Sequence, residues 1–164
     1  MAIRTVYFLI TLLILGLDQA TKCWATSWLR PRILLDVLPG LLRFTYATNR
    51  GVAFSLFADT VTDIRYILAA AALVAAVVVV LYQWQTPVRM VRVQVGLSLM
   101  LAGIIGNLID RIRLGEVVDF IDLHWRDTYY WPTFNVADAA ICVGAGLLAW
   151  QMIQEGRAER RYVS

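Results

Sequence analysis

Four apolar blocks, each long enough to cross a bilayer, run through this chain of 164 residues. A hydrocarbon core is spanned by roughly 20 predominantly apolar residues in a helix. The blocks lie at about residues 5–29, 64–84, 92–112 and 134–154, and they leave room for a single domain over 1–164. A water-soluble monomer could not hide them. Composition agrees: 60% of the residues are hydrophobic and only 16% charged, against about half and a quarter in soluble domains. The expected fold class is membrane α, a four-transmembrane-helix bundle with segments 30–63 and 113–133 outside the membrane. The first block follows Arg4 as a signal peptide would. Its apolar pattern continues past Asp18 into CWATSWL with no A-x-A site, so it is read as a retained span.

The polar residues around the blocks set boundaries and orientation. All six tryptophans (Trp24, Trp28, Trp84, Trp125, Trp131 and Trp150) fall near span ends, the headgroup level that amphipathic rings prefer. Arg4, Arg89, Arg92, Arg157, Arg160 and Arg161 crowd the short segments on one side, while the basic residues of the other side are spread over longer loops. That density predicts both termini in the cytoplasm. In the first outer segment, Pro39-Gly40 signals a turn. Leu42, Phe44 and Tyr46 then alternate with Arg43, Thr45 and Ala47, as a strand requires. EVVDFIDL at 116–123 alternates as well. A small extracytoplasmic β-subdomain is expected from these two stretches, with residues 51–58 (GVAFSLFA) as a short amphipathic helix on the membrane surface.

Several chemistries are excluded at this level. The net charge of +3 is mild, and no basic run carries interleaved aromatics, so nucleic acid is not an expected partner. Cys23 and Cys142 lie far apart and His124 is the sole histidine. A metal or haem site therefore lacks ligands, and no cofactor is expected. Ser55 and Ser98 have no activating base beside them in the sequence. What remains is carboxylates, amides, arginine and lysine.

Those groups stand where lipid should be. A charge inside a span costs ~2.5–3.5 kcal/mol on insertion scales and usually faces protein or water. Asp18 and Lys22 are four apart, acid first, the favourable order for an ion pair on one helical face. Gly103, Asn107 and Arg111 share a stripe of the third span, with Asp110 beside it. Gly103 and Gly106 suit close helix packing, whereas Asn107 and Arg111 are strong donors near the membrane boundary. Asn135 and Asp138 open the fourth span on one face. Asp138 is either a proton-bearing group or a helix N-terminal acid held by the dipole. Asp119 and Asp122 point to opposite faces of the strand after Gly115, and spacing does not choose between them. Either one, brought beside Asp138, would make a carboxyl pair that shares a proton and straddles a water.

Taken in order, DQATK at 18–22, TNRGVAFS at 48–55, GIIGNLIDR at 103–111, GEVVDF at 115–120 and FNVADA at 134–139 resemble the motifs of the signal peptidase II (lipoprotein signal peptidase) family. The resemblance implies an aspartyl endopeptidase of the bacterial inner membrane. It would cut diacylglyceryl-modified prolipoproteins on the N-terminal side of the lipid-bearing cysteine. It also implies that Asp119, not Asp122, joins Asp138 as the catalytic pair. Asn49, Asn107, Arg111 and Asn135 would hold substrate and orient the pair, and Asp18, Lys22 and Gly103 would support the site structurally. Implied partners are the prolipoproteins and membrane lipid, with the enzyme a monomer. Ala102, where many relatives have a second glycine, and Arg50 depart from the pattern without touching the chemistry. Two other functions compete, a small proton-coupled transporter using Asp138 and Asp18, and a non-enzymatic assembly factor. A transporter wants its acids near the bilayer midplane, whereas Asp119 and Asp138 both map to a span edge.

Overall fold

The computed structural model describes residues 2–32, 34–51, 61–126 and 128–163. Each apolar block is helical: α1 (Ala2–Trp24), α2 (Val61–Gln85), α3 (Val91–Arg113) and α4 (Val136–Val163). The stretches long and apolar enough to cross a membrane are Arg4–Leu29, Ile64–Gln85, Val91–Arg113 and Val136–Ala158, within a few residues of those expected. One detail differs. The end of the first span, Ala25–Leu29, is wound as a π-helical turn. The hydroxyls of Thr26 and Ser27 donate to the carbonyls of Lys22 and Cys23. They compete with the backbone donors an α-helix would use there, and Arg30 N reaches back to Ala25 O instead.

The bundle is built around α3. Of its most apolar stretch 61% is buried, against 11–22% for the other spans, because α3 packs on each of the other helices while α2 packs chiefly on α3. The outward faces carry Leu13, Ile67, Val74, Leu81 and Met152, all exposed. Such a surface suits lipid and not water. Glycines set the α3–α4 spacing: a side chain at Gly96 or Gly144 would run into the backbone of the other helix. At the end of the bundle away from the sheet, buried amides and hydroxyls tie three helices together. Gln83 Nε2 donates to Ser98 Oγ at 2.9 Å, Gln94 Nε2 to Thr86 O at 2.9 Å, and Thr11 Oγ1 to Ser98 O at 3.2 Å. Every one of these groups has a partner, as burial in an apolar medium demands.

The two alternating stretches pair as expected and recruit two short strands. β1 (Leu35–Leu38), β2 (Leu42–Asn49), β3 (Val117–Trp125) and β4 (Tyr129–Tyr130) form an antiparallel sheet in that order. One face packs Val118, Phe120 and Phe44 on Ala25, Leu29 and Trp24 of the first span, with the Trp24 ring edge-on to Phe44 and Phe120. This contact stands the sheet on the end of the bundle. The β2–β3 register breaks between Phe44 and Ala47, and Ala47 then faces Asp119. Irregularities of this kind re-aim a strand near a functional site. Phe134 bridges to Ile121, which draws the start of α4 against β3. The amphipathic segment expected over 51–58 lies, apart from Gly51, outside the described residues.

The glycine seam gives a direct check of this packing. Gly144→Ala should destabilise the protein by about 1–3 kcal/mol through overpacking. Gly146→Ala, two residues on with nothing within 4 Å of its added methyl, should be neutral or slightly stabilising. Thermal unfolding in detergent compares the two, and equal melting temperatures would contradict the seam.

Candidate active site

Between the sheet and the bundle, a buried lysine organises the polar groups that the spans carry. Lys22 is 3% exposed. Its ammonium donates to Asp18 Oδ2 at 3.0 Å, to Asp110 Oδ2 at 2.9 Å and to Asn107 Oδ1 at 2.9 Å. Three donors meet three acceptors, which exhausts the hydrogen-bonding capacity of the group. The Asp18–Lys22 spacing puts both on one face of α1, and Gly106 lets α3 approach: a side chain there would strike the Asp18 carboxylate. Asp18 Oδ1 in turn accepts the backbone N–H of Ala137 at 2.9 Å, in the first turn of α4. Two carboxylates share one ammonium, and the helix N-terminus supplies further positive potential.

The lysine fixes an amide, and the amide fixes an acid. With its Oδ1 held by Lys22, Asn107 turns Nδ2 outward to Asp138 Oδ1 at 2.7 Å. Asn135 caps α4 reciprocally with Asp138. Its Oδ1 accepts Asp138 N at 3.0 Å, while Asp138 Oδ2 accepts Asn135 N at 3.3 Å. This is a capping box with aspartate at the third helical position. The Asn135 Nδ2 group then donates to Asp119 Oδ1 at 2.7 Å and to Val118 O at 3.2 Å. Asn135, fully buried, is thus hydrogen-bonded to both acids.

Asp119 is the more unusual carboxyl of the two. It is 1% exposed, and its pKa is raised from 3.8 to about 6. Burial is the main cause and the charge of Asp138 the next, opposed by hydrogen bonds from Asn135 and Asn49 and by the charge of Lys22. A carboxyl of this kind holds a proton near neutral pH more readily than a solvated one.

The remaining expected residues fall into place unevenly. Asn49, exposed at the end of β2, accepts Gly51 N at 2.8 Å through Oδ1. Gly103 lies where a side chain would meet Ala137 O and Ile141, so it admits the first turn of α4. Arg111 is half-buried and donates to Asn107 O at 3.3 Å; among the described residues it forms no ion pair with Asp119 or Asp138. Asp122 is accounted for separately by Arg43, its cross-strand neighbour, at 2.6 Å. Asp110 and Gln19 are more central than their sequence positions suggested. Asp110 accepts Val118 N at 3.2 Å as well as Lys22, and Gln19 Nε2 bridges Asp18 and Asp110. Asp110 stands three residues after Asn107 on α3, so the two share a helical face, and that spacing is the signal that could have found it. Among the described residues no cluster of three His, Cys, Asp or Glu side chains is placed to hold a metal.

At the end of a membrane-spanning bundle, two carboxyls are thus bonded to one asparagine, a pairing of the chemical kind that aspartic hydrolases use. The chain belongs to the signal peptidase II family: the model described as "Signal peptidase (SPase) II" matches residues 10–154. It is 40% identical over 159 residues to the lipoprotein signal peptidase of Geobacter metallireducens, covering 95% of both chains. To that of Pseudomonas putida it is 41% identical over 156 residues, covering 95% of this chain and 91% of the other. Its fold matches a bacterial membrane enzyme structure obtained by the in meso method at 2.3 Å, with a TM-score of 0.79, 27% identity, and coverage of 93% of this chain and 90% of that one. The protein is a multi-pass membrane aspartic peptidase, and the transporter reading finds no support.

Removing the hub cation should be costly, because two buried carboxylates lose their common partner. Lys22→Met is expected to lower stability by about 3–5 kcal/mol, measured as loss of folded protein in denaturant titrations. A variant as stable as the parent would contradict the role of Lys22 as hub.

Proposed function

We propose that this enzyme removes the signal peptide from diacylglyceryl-modified prolipoproteins, cleaving on the N-terminal side of the lipid-bearing cysteine, with Asp119 and Asp138 as its catalytic pair. The observation that carries this reading is the bonding of both acids to Asn135. It brings together two carboxyls from separate motifs, GEVVDF at 115–120 and FNVADA at 134–139. Their repulsion is what raises the proton affinity of Asp119 beyond the effect of burial.

The division of labour follows from the surroundings. Asp138, in the first turn of α4, accepts Asn107 Nδ2 of α3 and the backbone N–H of Asn135. Asp119 carries the proton that the pair shares. In the reaction, Asp138 takes a proton from a water lying between the acids, and the resulting hydroxide adds to the scissile carbonyl carbon. The proton of Asp119 passes to the carbonyl oxygen. Collapse of the tetrahedral intermediate returns that proton to Asp119, breaks the C–N bond, and sends the proton held by Asp138 to the leaving amine. Asn107 and Asn135 orient the acids, while Asn49 and Arg111 sit at the rim, where they would hold the substrate backbone. Asp18, Lys22 and Gly103 support this set from beneath.

The density of arginine at one side supports both termini in the cytoplasm. That places the sheet and the pair at the extracytoplasmic face of the bacterial inner membrane, where a lipid-modified substrate arrives laterally from the bilayer. The enzyme acts there as a monomer, with membrane lipid and prolipoprotein as its partners and nucleic acid as none.

Purified Asp119→Asn and Asp138→Asn should each lose roughly 10³-fold or more in kcat on a diacylated lipopeptide while remaining folded. Asp122→Asn, which breaks only the Arg43 pair, should be far milder. Equal loss in all three would reject the pair. Because Asp119 must be protonated and its pKa is about 6, kcat/KM of the free enzyme should decline as pH rises through that value. A flat profile from acid to alkaline pH would contradict the assignment of the shared proton.

A further inference from the structure

Arg65, in the first turns of α2, reaches across to the C-terminus of α3. Its Nε donates to Arg111 O at 2.9 Å and its Nη2 to Ile112 O at 2.6 Å. Both carbonyls belong to the last turn of α3, where the α-helical ladder ends; Arg111 O also accepts Gly115 N at 3.2 Å, and a cation there meets the negative end of the dipole. The guanidinium lies against Gly115, which has a φ of +81°. A side chain at that position would press on Nη1, Cδ and Cζ of Arg65. The turn from α3 into β3 is therefore clasped from two sides. Asp110 holds Val118 N from within, and Arg65 holds the last turn of α3 from α2. Val118 precedes Asp119 in the chain, and Arg111 carries one of the gripped carbonyls. Among the described residues α2 makes its extensive contacts with α3 alone, so this clasp is its link to the site.

We propose that Arg65 is a positioning residue for the peptidase reaction, holding the α3–β3 turn so that Asp119 keeps its place. The proposal rests on the reading of Asp119 and Asp138 as the catalytic pair. The planar fork is the essential feature, because one flat group spans two carbonyls and still packs on a glycine. A lysine would keep the charge but not that geometry.

The test uses the full-length enzyme and a diacylglyceryl lipopeptide, with Asp119→Asn measured alongside. Arg65→Ala should lower kcat by about tenfold or more, since small misplacements of reacting groups are that costly. KM should stay within about twofold, as expected when alignment rather than binding is lost. Methylguanidinium should restore part of the lost kcat, and Arg65→Lys should restore little. Full activity in Arg65→Lys, or a kcat per folded molecule unchanged in Arg65→Ala, would overturn the proposal. So would failure of methylguanidinium to act on a folded Arg65→Ala enzyme. If Arg65→Ala does not fold, Arg65→Lys decides alone: a kcat near that of the parent overturns the proposal, and a reduced one upholds it. An inactive Asp119→Asn beside a normal Arg65→Ala would reject only the clasp, whereas an active Asp119→Asn would reject the pair itself.

Discussion

A buried ammonium with three bonds is the contact on which the rest of this structure depends. Without the Lys22 ammonium, Asp18 and Asp110 would lose their common partner. Burial of ions in a low-dielectric interior is tolerated only when each is paired and hydrogen-bonded. That requirement dictates the arrangement around it. Asp18 ties α1 to the first turn of α4 through Ala137 N. Asp110 ties α3 to β3 through Val118 N. Asn107 passes the orientation on to Asp138. Three helices and a strand are tied together through one side chain.

The same economy governs Asn135. A helix that begins at Val136 needs a cap, and this cap also donates to the second acid. Asp138 is both a capping-box partner and a proposed reacting group, so helix formation itself places it. Its opposite number, Asp119, is set on β3, whose register depends on β2 and on the aromatic contacts with Trp24. Secondary structure therefore brings the two carboxyls together from separate elements, and the buried amides keep their repulsion from driving them apart. Gly103 and Gly106 are necessary to this end, because a methyl group at either would hold α4 or Asp18 away from α3.

Much of this was legible in the sequence because bilayer physics leaves few options. Apolar runs of span length become helices, and charges inside them seek one another. The four spans and the Asp18–Lys22 pair follow from those rules alone. The strands around Leu42 and Val117 were visible in their alternation, and β1 and β4 were not. β1 is four residues long and exposed, and β4 only two, too short to show a period. The choice between Asp119 and Asp122 was beyond spacing, because strand alternation is symmetrical. It came from the family resemblance; in the structure Asp122 is paired with Arg43. The work of Asp110 and the π turn at Ala25–Leu29 depend on contacts between distant segments, which no local pattern encodes.

On the proposed mechanism, Asp119 holds the one proton shared by the pair. Infrared difference spectroscopy of the membrane-reconstituted enzyme across a pH titration tests it most directly, by following the carbonyl stretch of a protonated carboxylic acid. One such band should disappear with a midpoint near pH 6 and be missing from Asp119→Asn. A band that survives in Asp119→Asn with the same midpoint, or the absence of any carboxylic acid band titrating in that range, would contradict the account.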